Sequence, residues 1–456
     1  MGETTTPPPT DADAGRRVVT ETNYVTWRRQ GGWNPLVITR AEGSRFWDSQ
    51  GKEYLDLSSQ LVATNLGHAN PRITQAIIDQ ARAVPYVAPG MSTPVRAALS
   101  ERLKEIVPSG LDRFFFSTSG TEANEAALKI ARAVTGRSKV VSRFRSYHGA
   151  TAASISVTGE FRRRVIERHQ KVPGTVFAPD CYCYRCPFGL TYPSCNVACA
   201  DTVDEQIARE GDVAAMILEP VVGTNGVIVP VPEYLPRIRA ITKKHHVLLI
   251  ADEVMSAWGR VGEWFAVNHW NVVPDILTTA KGITGAAIPL GLTATTHAIH
   301  ETFREQYFPH GHTYEAHPLT LAPAVAAIDE YRRLDLIEKS RHDGEYLLRR
   351  LQEIQQRHPS VGEVRGLGLF AAVELVKNRT TRAPFNTDED KIAGRPMVAD
   401  AVTQAMMKEG VYCISWVSHL VVAPPLIVTR EELDHGLEVL DRALAIADAQ
   451  VDPAGH

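Results

Sequence analysis

Between about residues 75 and 335, short apolar runs alternate with helix-like stretches, and no other pattern in the chain restricts its fold so strongly. The runs fall at residues 113–116, 139–141, 213–218, 247–251, 276–277 and 290–294. Short apolar runs bounded by turn signals read as strands buried on both faces. Strands separated by helices make a mostly parallel sheet covered on both sides, so the fold class is α/β. The flanks read differently. Residues 38–57 form a short meander around Asp48-Ser49-Gln50-Gly51-Lys52. From residue 336 onward, helix-like stretches at 344–356, 395–409 and 431–447 accompany strand-like stretches at 367–376 and 420–423. At 456 residues the chain exceeds what one small core accommodates, so a large domain with a smaller companion is expected.

Open α/β sheets place ligands beyond the C-terminal ends of their strands. Lys281 follows the run at 276–277, and Asp252 ends the run at 247–251. A lysine that can form a Schiff base and a carboxylate that can hold a pyridinium nitrogen are the minimal kit for pyridoxal 5'-phosphate chemistry. Glu219 ends another strongly apolar run. Burying either carboxylate is costly without a partner; either could instead be a surface loop acid, but two in register with Lys281 favour the functional reading. Ser119 and Glu122 make a capping-box pattern after the run at 113–116, so a helix should begin there. Its unpaired N–H groups, with Gly120 permitting close approach, suit a phosphate; a simple capped helix carries the same signature. Tyr147, beyond the run at 139–141, could stack on a flat ring or merely pack.

A net charge of −3 argues against a nucleic acid or an anionic membrane as the main partner. Hydrophobic content of 44% and charged content of 22% are ordinary globular values, and no apolar run approaches the ~18 residues of a membrane span. The Pro/Thr-rich start lacks the basic and apolar segments of a secretory signal, so a disordered tail over residues 1–17 and a cytoplasmic location are expected. Gly2 and Thr6 match the loose myristoylation pattern, which a plain tail of this composition also satisfies. Cys181, Cys183, Cys186, Cys195 and Cys199 cluster, with Cys413 alone. Clustering without a secretory signal favours thiols or a metal over disulfides; buried thiols are the preferred reading, and no metal ligand is assigned.

The ordered set Ser119-Gly120-Thr121-Glu122-Ala123-Asn124, Tyr147-His148-Gly149, Glu219-Pro220, Asp252-Glu253-Val254, Lys281-Gly282 and His312-Thr313-Tyr314 resembles the class III (ω-amino acid) aminotransferases. Asn65-Leu66-Gly67-His68 and Ala423-Pro424-Pro425-Leu426 extend the resemblance over residues 20–450, and the cysteine segment resembles a taurine/β-alanine–pyruvate-like subset. The resemblance implies a fold-type I (aspartate aminotransferase-like) pyridoxal-phosphate enzyme. Residues 75–335 would form the large cofactor domain. Residues 18–74 and 336–456 would join as one smaller α+β domain. It also implies a homodimer with shared active sites, with tetramer formation left open. Lys281 would carry the cofactor and shuttle the substrate proton, while Asp252 keeps the ring nitrogen protonated. Tyr147 and Val254 would flank the ring. Gly120 and Thr121 would hold the phosphate, joined by Thr313 of the second subunit, and Glu219 would belong to the network around Asp252.

Val62, Tyr86 and Trp416 are expected to line the substrate pocket. The implied reaction moves an amino group from a taurine- or β-alanine-like donor to a keto acid such as pyruvate. An aminomutase, racemase or decarboxylase on the same fold is the rival. Two departures mark the acid-binding end. Ala150 stands where 4-aminobutyrate and ornithine members carry arginine, and residues 410–419 contain none. A carboxylate must then be held elsewhere, with Trp416, His419 and arginines 162–164 as candidates. Glu315-Ala316 also replaces the family's usual small Ser-Gly pair.

Overall fold

The computed structural model describes residues 12–167 and 171–452. The myristoylation positions and the first eleven residues of the expected tail lie outside them. Residues 12–17, expected to be structureless, instead open a helix, Ala12–Thr22. The proline run ends at Pro9, and the stretch that follows contains no proline to interrupt helical hydrogen bonding.

Seven strands form the main sheet, in the spatial order Leu111–Ser117, Gly291–Thr296, Ile276–Thr279, Leu248–Asp252, Val213–Leu218, Lys139–Arg143 and Thr175–Ala178. Gly291–Thr296 runs antiparallel to both its neighbours, and the other six share one direction. Every residue of Val213–Leu218 is buried, as an apolar run enclosed on both faces requires. Thr175–Ala178, which the sequence pattern does not mark, sits at the sheet edge with three of its four residues only half-buried.

The helix Gly120–Thr135 lays Ala123, Ala126, Ala127, Ile130 and Ala131 against this sheet, a small-residue stripe that lets helix and strands approach closely. It stops at Gly136, whose left-handed φ of 66° closes the last turn onto Arg132.

The chain ends meet in smaller sheets. Ile38–Glu42, Arg45–Asp48 and Glu53–Asp56 form the meander, and Glu53–Asp56 pairs in parallel with Val411–Tyr412. A second small sheet runs Val361–Gly366, Ala371–Asn378, His419–Val422 and Ile414–Trp416. Arg260 ties these parts together. Its buried guanidinium donates to the carbonyls of Leu369 (2.9 Å) and Pro424 (2.6 Å), to Ser59 Oγ (3.0 Å) and to Asn65 Oδ1 (2.7 Å). Burial pulls its pKa down to about 10. Among the described residues no helix is long and apolar enough to cross a membrane.

Candidate active site

The loops that leave five of the six co-directional strands at their C-terminal ends, all but the edge strand Thr175–Ala178, line a cavity of about 180 Å³. Gly120, Thr121, Tyr147, Glu219, Asp252, Val254 and Lys281 all line it, so seven residues singled out along the sequence meet in one place. They converge because each strand of a parallel sheet delivers its last residue to the same edge.

Asp252 is 3% exposed and sits in a built socket. Its Oδ2 accepts from Asn124 Nδ2 (2.7 Å) and pairs with His148 Nδ1 (2.8 Å), while its Oδ1 accepts the Val254 N–H (3.1 Å). Asn124 is fixed in turn by donating to the His148 carbonyl (2.7 Å) and accepting from Thr278 Oγ1 (2.6 Å). A carboxylate has about four acceptor positions, so three donors leave room for one more at the cavity wall. Asn124 and His148 carry roles that the sequence reading did not assign. A signal existed for Asn124, a polar residue on an otherwise apolar helix face.

Lys281 opens the short 3₁₀ turn Lys281–Thr284 at a φ of 51°, a left-handed conformation that costs a side-chain-bearing residue energy. The surroundings hold it there. Tyr331 Oη donates to the Gly282 carbonyl (2.7 Å), and Trp258 Nε1 donates to Thr279 Oγ1 (2.8 Å). A Cβ on Gly282 would stand 2.7 Å from Asn65 Nδ2 and 2.8 Å from Trp258 Cβ. Desolvation lowers the Lys281 pKa to about 8, against the opposing pull of Asp252 and Glu219, so a large share of the amine is neutral near that pH. Glu219 accepts the N–H groups of Tyr147 (3.0 Å) and Gly223 (2.7 Å), and burial raises its pKa.

At the helix start, Ser119 Oγ accepts the Glu122 N–H (3.2 Å) as the capping pattern predicts. The Glu122 carboxylate, however, takes the Thr118 N–H (2.7 Å), one residue before the cap. Gly120 has no space for a side chain, since a Cβ would lie 2.7 Å from Val254 Cγ2. At Gly149 (φ 138°) a Cβ would lie 2.7 Å from Thr121 Oγ1. The backbone therefore closes tightly around an N-terminal helix turn whose N–H groups suit an anion. A neutral amine, an acceptor with capacity to spare and an anion-binding helix end match, in turn, the carbonyl, ring nitrogen and phosphate of pyridoxal phosphate.

The other predicted residues lie elsewhere. Thr313 and Tyr86 are exposed, with Tyr86 Oη donating to the Thr313 carbonyl (3.1 Å), and neither lines the cavity of its own chain. Val62 is buried among Val221, Val261, Phe370 and Val421 rather than at the cavity; sequence carries no mark that separates a pocket valine from a core valine. Trp416 stacks on Phe161 (5.4 Å between centroids) and lines a second, larger cavity of about 580 Å³. Between the two cavities stands Arg162, its guanidinium 3.7 Å from the Tyr147 ring centroid and 4.5 Å from that of Trp416. The clustered cysteines are free thiols around a pocket of about 20 Å³ with Phe188, Leu190 and Tyr192.

The chain matches the family model "Aminotransferase class-III" over residues 27–444. It is 33% identical to a leucine/methionine racemase of Thermococcus litoralis, covering 90% of this chain and 91% of that protein. It is 34% identical to a taurine–pyruvate aminotransferase of Bilophila wadsworthia, covering 91% of this chain and 93% of that one. Among solved structures, a taurine:2-oxoglutarate aminotransferase from Bifidobacterium kashiwanohense, in complex with PLP and glutamate, superposes with a TM-score of 0.90 at 34% identity, covering 97% of this chain and 99% of that one. With the fold, the site and the relatives in agreement, the chain belongs to the class III aminotransferases, pyridoxal-phosphate-dependent enzymes of fold type I that act on an amino donor and a keto acid.

Proposed function

We propose that this enzyme moves an amino group from an ω-amino acid or amine of the taurine or β-alanine kind to a small keto acid, pyruvate first. The observation that carries this reading is the meeting of Lys281 and the socketed Asp252 at one cavity with an anion-binding helix end. Taurine and pyruvate are named for a relative that is 34% identical. When bound, pyridoxal phosphate supplies an electrophilic carbonyl for the amine and an electron-accepting ring for the pair left at the substrate carbon.

The chain's own residues do the rest. The N–H groups at Gly120 and Thr121 bind the phosphate, and Tyr147 and Val254 hold the ring between them. Asp252, kept in place by Asn124 and His148, holds the proton on the ring nitrogen. Lys281, partly neutral because it is desolvated, takes the proton from the amine-bearing carbon of the substrate and returns it on the far side of the transfer. Thr313, exposed and outside its own cavity, would complete the phosphate site of a second subunit, which makes the homodimer part of this proposal.

The racemase relative favours one rival, in which Lys281 moves the same proton but the amino group never leaves. Adding donor alone to the purified holoenzyme separates the two. Transamination bleaches the visible cofactor band, releases a carbonyl product, and recovers the band when pyruvate is added. A racemase instead exchanges the donor's carbon-bound proton with solvent and releases no carbonyl product.

A further inference from the structure

The cavity of about 580 Å³ beyond Trp416 is far larger than the cofactor cavity of about 180 Å³, and the transfer reaction leaves it without a role. Five arginines and five carboxylates line it, so its wall is heavily charged but balanced. Most of these groups are committed. Arg163 pairs with Glu167 (2.8 Å), Arg164 with Asp388 (2.9 Å), and Arg185 and Arg365 with Glu374 (2.6 and 2.7 Å).

Two groups of opposite sign are left over. Among the described residues the Arg145 guanidinium makes no hydrogen bond. Its Nε stands 3.7 Å from Asp180 Oδ2, and 43% of the side chain is exposed. Glu160 is 5% exposed; one of its oxygens takes Arg162 Nε, while Oε2 is buried without a partner. A buried carboxylate oxygen without a donor is costly and rare. The two side chains leave adjoining backbone, because the Ser146 carbonyl accepts the N–H groups of Gly159 (3.2 Å) and Glu160 (3.4 Å).

Each has support of its own kind. Arg145 and Arg365 lie against the same Tyr182 ring, at 5.2 and 4.7 Å, and Arg365 donates to the carbonyl of Gly226, next to Asn225. Asn225 also lines the cavity, and its amide nitrogen is buried without an acceptor. Asp388 is near enough for its negative charge to bear on Glu160.

We propose that this cavity binds a zwitterionic amino acid, with its carboxylate on Arg145 and Asn225 and its ammonium on Glu160 Oε2. A ligand of one charge would leave one of the two ionic groups unmatched, and a balanced wall suits a molecule with no net charge. Amino acids are the donors and products of the transaminase reading, so the identity of the occupant rests on that reading. Only Arg162, Tyr147 and Trp416 separate the cavity from the cofactor site, which makes it a holding site for the amino acid outside the reacting position.

N,N-dimethylglycine is the probe, since it carries both charges and an ammonium N–H, yet its tertiary amine cannot condense with the cofactor carbonyl. It is titrated calorimetrically into holoenzyme and into holoenzyme capped with aminooxyacetate, which occupies that carbonyl. Burial raises the Glu160 pKa to about 7, so the titrations are run at about pH 8, where the carboxyl is mostly ionised. The expected result is a single equivalent bound per chain with the cap in place, weakened about 10-fold or more by Arg145→Gln and by Glu160→Gln. Acetate, which offers the acid alone, should bind about 10-fold more weakly than the probe and respond to Arg145→Gln only. Loss of probe binding on capping, unchanged binding in either variant, or acetate binding as tightly as the probe would overturn the proposal. Glu160→Gln also alters the bond to Arg162, so Arg145→Gln, at a partly exposed position, decides the outcome if that variant does not fold. A holoenzyme that binds the probe in this way yet keeps its visible band when donor alone is added would leave the site standing and remove the transaminase reading.

Discussion

Asp252 depends on Asn124 and His148, which lie 128 and 104 positions earlier in the chain. Their spacing is why the sequence shows the carboxylate but not its socket: each partner is a lone polar residue until the fold brings the three together. Replacing Asn124 with alanine removes one donor from Asp252 and the acceptor of Thr278 Oγ1. A hydrogen bond to a charged group contributes about 1.5–3 kcal/mol, so cofactor retention should weaken roughly 10-fold or more in a titration of apoprotein with pyridoxal phosphate.

Lys281 gives a second prediction at this scale. Below pH 8 both folded and unfolded chains carry its proton, and the burial penalty is felt in full. Between about 8 and the ordinary 10.5, the folded chain has released that proton while the unfolded chain still holds it, so stability of the cofactor-free protein rises with pH across this window. Lys281→Met removes the penalty. Its gain in melting temperature over wild type should be largest below pH 8 and shrink toward pH 10.5.

The elements were legible in proportion to how completely they are buried. Val213–Leu218 and Leu248–Asp252 announce themselves because a strand enclosed on both faces must be a continuous apolar run. Thr175–Ala178, at the sheet edge, escapes because half-burial relaxes that demand. The pocket also depends on side-chain environment that strand and helix patterns do not encode, as the core position of Val62 and the seat of Arg162 illustrate.

Two element-scale contacts can be tested directly. Ser119 caps the helix that faces the cavity, so Ser119→Ala should cost about 1 kcal/mol, seen as a lower unfolding midpoint. Gly344 lies against the Gly368 backbone, where a Cβ would stand 2.3 Å from the carbonyl carbon. Neither backbone can yield cheaply. Gly344→Ala should therefore destabilise by about 1–3 kcal/mol or more in the same measurement.

At the scale of the whole molecule, Tyr86, Met91 and Tyr314 present 42%, 62% and 59% of their surface. Tyr86 and Tyr314 meet edge to face at 6.4 Å beside Thr313, an apolar surface that a second copy would cover. Light scattering should give twice the 50.2 kDa chain mass. Tyr314→Lys should shift the protein toward monomer and weaken cofactor binding with it, because Thr313 could no longer reach a neighbouring site. A stable monomer with undiminished cofactor affinity would contradict the shared-site arrangement.

The account as a whole stands on Lys281 as the residue that joins the cofactor covalently, and borohydride reduction of the holoenzyme followed by peptide mass mapping tests it most directly. The expected result is a single reduced cofactor adduct on the peptide bearing Lys281, absent from Lys281→Met. An adduct on another lysine, or a reduced adduct that persists in Lys281→Met, would contradict it.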